Sequence, residues 1–394
     1  MNILLVTNLL QGNKYEGVES YRMIEPSFAL NKYIGGYDFS LVPRHEWDLD
    51  NQFSKSDLPF EERIEFLKEQ VKGKDLVIFN RDVFPSALKF LQENNIKYAL
   101  DLDDYWVLPG HHPLHKAYNE INYIDVTLNS LRFAEFITVT NENLAEKVKE
   151  YNQNVYIIEN GIDFKNPIWK PNKIESNRLR FGFTQGSTHL EDMKSLFVYI
   201  RRCLTDYEFK VGGQIVYCGF AVPEKDDVES YTWRKLNVSQ YIEAEMTNGH
   251  KLLEYKHARY LRAYEPFNDL NHPYRRINAL PVTEFPSVYD SMDVSVAILK
   301  DNTFNSCKSN IKMLEAAAKD CAIMCTTKAP YSLANTKNSF SLYEKTFREW
   351  TKILIKNPNL VADSKAQLRQ DVECYSLENL SKKRDELYKR YKKG

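Results

Sequence analysis

The chain has few cysteines and no cysteine motif. Six cysteines are spread over 394 residues, with no CxxC pair and no Cys/His cluster at the spacing of zinc ligands. Most of them lie in apolar stretches, which favours buried free thiols in a reducing compartment. The sequence therefore gives no support for a metal site held by cysteine, and it predicts a cytoplasmic protein.

Long hydrophobic runs are also missing. No apolar stretch approaches the roughly 18 residues that cross a bilayer. The N-terminal run from Met1 to Val6 turns polar too soon for a signal peptide. We expect a first β-strand there and no transmembrane segment, and peripheral contact with a membrane stays open.

The chain has no excess charge of either sign. Its 53 basic and 54 acidic residues give a net charge of −1, which argues against a protein coated in basic charge but leaves room for a local basic cleft. Neither GxGxxG nor GxxxxGK[ST] occurs, which weakens dehydrogenase and P-loop interpretations. The length and a hydrophobic fraction of 43% instead predict a folded protein of two domains.

Short apolar segments alternate with helical patterns along most of the chain, which predicts parallel strands covered by helices. A stretch with two prolines and no periodicity, residues 164–172, is interpreted as a linker. We therefore predict an α/β fold of two Rossmann-like doubly wound domains facing a cleft, at residues 1–165 and 174–375. A C-terminal helix at residues 376–394 is a candidate to pack back on the first domain. Between residues 220 and 280 the pattern is poor, and Leu280 to Val282 is a strand candidate just after it.

The most informative segment is 304–325, in which a polar start is followed by a helical pattern and an apolar run. It predicts a helix with Lys308 and Ser309 at its N-terminus, where free N–H groups and the helix dipole attract phosphate. Glu315 is expected on the same face as Lys308, two turns on and roughly 10 Å away. That arrangement suits a nucleotide-sugar, with its diphosphate at one end and hydroxyls at the other. An ordinary surface helix with a Lys312–Glu315 pair is the alternative.

Two more loops follow predicted strands and complete a donor-binding set with Lys308, Ser309 and Glu315. The loop after the first strand contains Gly12 and Gly17, whose backbone a ligand could approach closely. The loop that opens the second domain could hold a phosphate at a capped helix start, and its candidates are Gly186, Ser187, Thr188 and His189. The alternatives are a plain strand-to-helix connection and a well-capped helix without a ligand.

Three carboxylates bunch at the end of another predicted strand, at Asp101, Asp103 and Asp104. Crowding raises the pKa of at least one such group, which suits a general base, so Asp103 and Asp104 are the catalytic candidates. Acceptor contact is assigned to three residues nearby in the predicted cleft, His111, His112 and Arg22. The alternatives are helix-capping acids on a solvated rim and solvated histidines, and no ligand spacing supports a metal.

Taken in order, several segments resemble a known family. They are Val139-Thr-Asn-Glu-Asn-Leu-Ala145, Val155 to Asp163 ending in Asn-Gly-Ile-Asp, Gly182 to Asp192, and Phe304 to Glu315. Together they cover most of residues 135–331. In sequence and spacing they resemble GT-B glycosyltransferases of the large retaining family four, also called glycosyl transferases group 1.

The resemblance implies a hexosyl- or pentosyltransferase whose second domain binds a nucleotide-diphosphate-sugar as co-substrate, with no permanently bound cofactor and no required metal. Glu315 matches the second acid of the family's paired-glutamate motif and would hold the nucleotide ribose. The first acid falls at Cys307, so Lys308 and Ser309 are expected to take over contacts near the diphosphate. The Arg and Lys pair that binds the diphosphate in this family is also not evident after Thr184. Gln185, Ser187, Thr188 and His189 stand there instead.

The acceptor and the oligomeric state stay open at this stage. One interpretation is a surface glycan or a lipid-linked sugar. Another is a hydroxymethylated base in phage-type DNA, since a Tyr-interleaved basic region could face phosphates. That region contains Lys256, His257, Arg259, Arg262, Arg275 and Arg276. A third interpretation is a degenerate protein that binds a nucleotide-sugar or glycan without turnover. It is suggested by Cys307, which stands where the family has the first acid of its motif.

Overall fold

Two parallel β-sheets organise the molecule. The computed structural model describes residues 1–8, 17–50, 59–185, 187–220, 272–278, 280–333, 339–343 and 345–391. Each sheet has six strands, and every strand pair runs parallel. The predicted α/β class with two doubly wound sheets is confirmed.

The first sheet has the strand order β2-β1-β3-β4-β5-β6. Its strands are β1 (Asn2–Thr7), β2 (Asp38–Pro43), β3 (Leu76–Asn80), β4 (Tyr98–Leu102), β5 (Phe136–Val139) and β6 (Val155–Ile157). All residues of the central strands β3, β4 and β5 are buried. Burial on both faces is what near-continuous apolar runs require in a parallel sheet.

Helices cover this sheet and connect its strands. They are α1 (Gly17–Glu19), a π-helical turn (Ser20–Ile24), α2 (Glu25–Tyr33), a 3₁₀ turn (Arg44–Trp47), α3 (Phe60–Val71), α4 (Pro85–Glu93), α5 (His115–Glu120), α6 (Tyr123–Phe133) and α7 (Glu142–Lys149). The helical sequence pattern of residues 114–133 predicts one helix, and the structure divides it in two, because Asn122 adopts a left-handed conformation with φ 48°. Asparagine tolerates that conformation better than most residues, so the break falls there.

The second sheet has the order β12-β11-β10-β7-β8-β9. Its strands are β7 (Leu179–Phe183), β8 (Gly213–Phe220), β9 (Tyr274–Asn278), β10 (Val294–Ala297), β11 (Ala322–Cys325) and β12 (Phe340–Ser341). The α-helices described in this half of the chain are α8 (Leu190–Lys194), α9 (Phe197–Thr205), α10 (Tyr207–Gly212), α11 (Thr303–Ser306), α12 (Ile311–Ala318), α13 (Thr346–Lys356), α14 (Pro358–Asp371) and α15 (Leu377–Tyr391). Short 3₁₀ turns lie at Pro167–Trp169, Ser187–His189, Phe285–Ser291, Tyr331–Leu333 and Val372–Tyr375.

Two local predictions in this half are wrong. Leu280 to Val282 is not a strand, since the Pro281 carbonyl accepts hydrogen bonds from Glu284 and Phe285 in a turn that leads into a 3₁₀ helix. The strand is β9, just before it. The second error concerns the helix at 308, because α12 begins only at Ile311 and Lys308 lies in the turn before it. Lys308 and Glu315 therefore do not share a helical face.

The chain order changes direction at one point in each sheet, between β1 and β3 and between β7 and β10. Ligands of open α/β sheets bind at such switch points, outside the carboxyl ends of the strands. The two switch points therefore mark where a site should be sought.

The C-terminal helix α15 packs on the first sheet, although it follows the second in sequence. Leu387 and Tyr388 are buried in one apolar cluster with Ile3 and Phe136. Directly before this helix, Ser376 forms an isolated parallel β-bridge with Ile162, where the chain returns to the first half. The two sheets are thus joined twice by the chain, once before β7 and once after α14.

Candidate functional site

The segment between α11 and α12 lies against the carboxyl ends of strands from the first sheet. The Asn141 amide donates to the Lys308 carbonyl at 2.7 Å, and the Asn143 amide donates to the Ser306 carbonyl at 3.1 Å. The Asn160 amide donates to the Ser309 hydroxyl oxygen at 2.8 Å. Three asparagines of the first half thus fix the backbone and hydroxyl of residues 306–309.

Lys308 and Asp104 form an ion pair across this contact. The lysine Nζ lies 3.1 Å from one carboxylate oxygen of Asp104 and 4.4 Å from the centre of the Phe304 ring. Burial works to raise the pKa of Asp104, but Lys308 and Arg81 outweigh it and hold that pKa below its usual range. Asp104 is therefore a carboxylate at neutral pH, and the Asp104 side chain keeps about a third of its surface exposed.

Asp103 and Asp101 have cations of their own. Arg81 lies 3.3 Å from Asp103, yet burial raises the pKa of Asp103 above its ordinary value. Arg22 holds both oxygens of Asp101, at 2.6 and 2.8 Å, and its side chain has no exposed surface. The structure therefore places Arg22 inside the wall of the first sheet rather than on the cleft surface.

The histidines of the two halves differ in environment. His112 is buried and its ring meets Phe304 edge-on at 5.5 Å, and burial together with Lys308 lowers the pKa of His112 to about 4. Burial also lowers the pKa of His189, although Asp192 accepts a 2.9 Å hydrogen bond from it. Both imidazoles are therefore neutral near pH 7. His111 is exposed.

Asp192 and Gln185 organise the switch point of the second sheet. Asp192 accepts from the Lys300 backbone and the Asn305 amide, both at 2.8 Å. Gln185 pairs with the Ile298 backbone, donating at 2.7 Å and accepting at 3.2 Å. These contacts tie the loops after β7 and β10 to each other and hold the polar turn before α11.

Glu315 lies in a closed network rather than on an open surface. Its carboxylate is buried and accepts from Tyr21 at 2.7 Å, from Tyr289 at 2.5 Å and from Lys312 at 2.9 Å. Tyr21 belongs to the π-helical turn of the first half, so this contact also crosses the cleft. A ribose that binds Glu315 has to replace one of these donors, and Tyr21 is the donor from the opposite side.

The remaining candidates contribute less to this arrangement. Gly12 and Gly186 lie outside the described residues, as do Lys256, His257, Arg259 and Arg262 of the basic region. Gly17 begins α1, and a Cβ added there would meet nothing within 4 Å. Thr188 is partly buried in the 3₁₀ turn Ser187–His189. Arg275, from the same basic group, is buried in β9.

Sequence reasoning did not identify the asparagines that join the two halves. Asn141 caps α7 through a hydrogen bond from the Leu144 N–H at 2.9 Å, and this N-cap pattern was its only local signal. Asn160 opens the Asn-Gly-Ile-Asp turn. The contacts of both with residues 306–309 are long-range, so no local spacing could have revealed them.

Neither metal ligands nor membrane-spanning helices are found in the described part of the chain. No group of three or more His, Cys, Asp and Glu side chains there could hold a metal ion. None of its helices is both long and apolar enough to cross a bilayer.

No protein-family model and no curated protein matches the sequence. Known structures do match, over 99% of both chains in each of three cases. They are a sucrose-phosphate synthase from Thermosynechococcus elongatus (11% identity, TM-score 0.63), a UDP-forming trehalose-phosphate synthase from Burkholderia xenovorans (12%, 0.57), and an α-glucosyltransferase in complex with UDP-glucose and DNA containing an abasic site (11%, 0.59). At these identities the likeness establishes the fold. The chain has the two-sheet GT-B fold, and the prediction of that fold is confirmed.

Proposed function

We propose that the protein is a glycosyltransferase that moves a sugar from a nucleotide-sugar to a hydroxyl acceptor with retention of anomeric configuration. The observation that carries the proposal is the position of Lys308. It lies in the turn before α12 in a GT-B fold and forms an ion pair with Asp104, which follows β4 of the first sheet. A lysine at a helix start is suited to bind a diphosphate.

In this proposal the diphosphate binds Lys308 and the free N–H groups at the start of α12. As the bond to the sugar breaks, negative charge grows on the leaving diphosphate, and a fixed cation stabilises that charge more than it stabilises the bound donor. Ser309 is held by Asn160 at 2.8 Å beside the same turn. Glu315 takes the ribose hydroxyls once the Tyr21 hydroxyl has released its carboxylate.

The acceptor hydroxyl approaches from the side of Asp103 and Asp104. Retention requires attack on the face that the leaving diphosphate occupies, so the diphosphate and the acceptor must be held next to each other. The ion pair between Lys308 and Asp104 supports this arrangement, because it brings the proposed diphosphate-binding lysine next to a carboxylate on the acceptor side. We take a surface glycan or a lipid-linked sugar as the leading acceptor class. We also propose that the two domains comprise residues 1–165 and 174–375.

The test is a panel of nucleotide-sugars assayed for binding, hydrolysis and transfer. Lys308→Ala is expected to lower kcat/KM by about 100-fold or more, as loss of one charge-stabilising group commonly does. Lys328→Ala is the matched control, because Lys328 is exposed and, among the described residues, forms an ion pair only with Asp301 at 3.4 Å. If Lys308→Ala and Glu315→Ala leave donor affinity and turnover unchanged, the donor site is assigned wrongly. Full activity of both Asp103→Asn and Asp104→Asn would remove the catalytic role of these acids.

DNA is the second candidate acceptor. It is favoured by the structural likeness to an α-glucosyltransferase in complex with UDP-glucose and DNA and by the basic region of the sequence. Binding to hydroxymethylated duplex DNA over a salt series tests it, because phosphate contacts produce a salt-dependent affinity. Absence of binding at low salt would eliminate this acceptor.

A binding protein without turnover remains the non-enzyme alternative, and the closed network around Glu315 is the observation that favours it. The donor panel separates the two cases. Saturable binding with neither hydrolysis nor transfer for any donor, in the presence of glycan and DNA acceptors, would support the binding protein.

A further inference from the structure

A small cavity is lined by residues from both halves of the chain. Its volume is about 160 Å³, and Tyr21, Glu25, Asn166, Trp169 and Val282 contribute to its lining. Tyr21 connects it to the predicted donor site, because the Tyr21 hydroxyl donates to Glu315. Whole small-molecule sites usually measure roughly 300–1,000 Å³, so this cavity accommodates one ring system rather than a complete nucleotide.

Tyr21 places this cavity within one side chain of the proposed ribose site. This residue contributes to the cavity lining, and its hydroxyl contacts Glu315 at 2.7 Å. In a nucleoside diphosphate the base is attached directly to the ribose, so a ribose at Glu315 would bring the base to this cavity.

Glu25 is the chemically distinctive group of this cavity. It is partly buried, and Lys32, on the same helix, pairs with Asp163 at 2.8 Å instead. Among the described residues no cation forms an ion pair with Glu25. Its hydrogen-bond partner is the Asn166 side chain. The oxygen of that amide accepts from the Ile168 N–H at 3.2 Å, so the amide NH₂ is the part that faces Glu25.

Burial and repulsion from Asp163 raise the pKa of Glu25. Both effects mean that the ionised carboxylate lacks compensation in the free protein. A ligand that brought N–H donors would supply what is missing, because charge-assisted hydrogen bonds to a partly buried carboxylate are stronger than neutral ones.

We propose that Glu25 reads the base of the donor nucleotide and selects guanine. Guanine presents two neighbouring N–H donors on one edge, at N1 and at the 2-amino group, and a single carboxylate can accept both. Uracil offers one N–H between two carbonyl oxygens, which a carboxylate repels. Adenine and cytosine place a ring-nitrogen acceptor beside their amino group. Tyr21 and Trp169, with ring centres 6.5 Å apart, supply apolar walls for the ring.

This inference rests on the proposed function, and the test separates the two. Binding of GDP, IDP, UDP, ADP and CDP is measured by titration calorimetry with the full chain. We expect GDP to bind at least 10-fold more tightly than UDP. IDP, which lacks the 2-amino group, should bind several-fold more weakly than GDP.

Glu25→Gln provides the decisive comparison. A glutamine side chain has one acceptor oxygen and turns an N–H donor toward the second N–H of guanine, so the variant should lose about 10-fold in GDP affinity and should no longer distinguish GDP from IDP. Its affinity for UDP should not fall, because the amide N–H can donate to a uracil carbonyl oxygen that the carboxylate repels. Glu93→Gln is the matched control, since that glutamate lies on the surface at the end of α4. Unchanged melting temperature and circular dichroism would establish that both variants are folded.

Two results would overturn the inference. If UDP binds as tightly as GDP and Glu25→Gln changes neither, guanine selection is wrong, and the glycosyltransferase proposal stands as long as Lys308→Ala abolishes binding. If no nucleoside diphosphate binds the wild-type protein, the inference and the proposed function fail together.

Discussion

At the scale of single residues, the charges on the first wall of the cleft are matched one to one. Three carboxylates lie at the end of β4, and each is paired with one cation. Arg22 lies 2.6 Å from Asp101, Arg81 lies 3.3 Å from Asp103, and Lys308 lies 3.1 Å from Asp104. Two of these cations come from the first half of the chain and are fixed near their carboxylates. Lys308 comes from the second half, so its pairing is the one that a diphosphate can exchange.

Tyr21→Phe tests whether the network around Glu315 competes with a donor. Removal of this hydroxyl leaves one carboxylate oxygen without its 2.7 Å partner, which should lower the free energy of unfolding by about 1–3 kcal/mol. The same change frees that oxygen for ribose, so donor binding should become several-fold tighter. Denaturant unfolding and calorimetric titration of the donor measure the two effects.

Tyr289→Phe is the control for that experiment, because Tyr289 donates to the other oxygen of Glu315 from within the second half. It should also lower stability, but without tighter donor binding. Equal donor affinities in wild type and Tyr21→Phe would mean that Tyr21 does not occupy the ribose position.

His112 predicts how stability depends on pH. Burial and Lys308 lower its pKa to about 4 in the folded protein, against roughly 6.5 in an unfolded chain. Between those values the unfolded chain takes up a proton that the folded protein does not, so this group makes the free energy of unfolding fall as pH drops from 6.5 to 4. Above pH 6.5 the ring is neutral in both states and contributes no slope.

Urea unfolding at pH 7 and pH 5 measures this effect. The loss of stability on going to pH 5 should be smaller in His112→Gln than in wild type. In His111→Gln it should match wild type, because His111 is exposed. An equal loss in all three proteins would contradict the assignment of this pH dependence to His112. Asp104 and His189, which also lie near Lys308, are present in all three proteins.

At the scale of elements, the regular parts of the fold could be predicted from the sequence and the irregular parts could not. Apolar runs and polar turns predict helices at residues 60–71 and 85–93 and strands at residues 98–102 and 136–139, and the bounds of α3, α4, β4 and β5 agree with them to the residue. The strand β9 was not found, since Arg275 and Arg276 interrupt its apolar pattern. The start of α12 was misplaced because Asn302 caps the separate short helix α11 first.

The helix α15 provides a prediction at this scale. Leu387 is buried with Ile3 and Phe136 under the first sheet, so Leu387→Ala should lower the free energy of unfolding by about 2–5 kcal/mol. Lys383→Ala, on the same helix, removes only a surface pair with Glu159 at 2.9 Å and should cost less than about 1 kcal/mol. Urea unfolding followed by circular dichroism compares them, and equal effects would show that α15 is not required for the stability of the first sheet.

At the scale of the whole molecule, the two halves are joined by polar contacts across the cleft as well as by apolar packing, such as that of Cys307 in the core of the first half. Asn141, Asn143, Asn160 and Tyr21 reach from the first half to residues 306–315. These contacts join the proposed diphosphate and ribose sites to the wall that carries Asp103 and Asp104. Their loss should therefore affect catalysis through geometry rather than through charge.

Asn141→Ser tests that idea, because serine keeps the N-cap of α7 but lacks the amide N–H that reaches the Lys308 carbonyl at 2.7 Å. The free energy of unfolding should change by less than about 1 kcal/mol, while amide hydrogen exchange at residues 306–309 becomes faster and kcat/KM falls by about 10-fold. Asn141→Asp also keeps the cap, but its carboxylate would repel the Lys308 and Ser306 carbonyl oxygens, so its loss of activity should be larger. If both variants retain wild-type exchange and kcat/KM, the Asn141 contact is incidental to catalysis, and the remaining contacts of Asn143 and Asn160 suffice to hold residues 306–309.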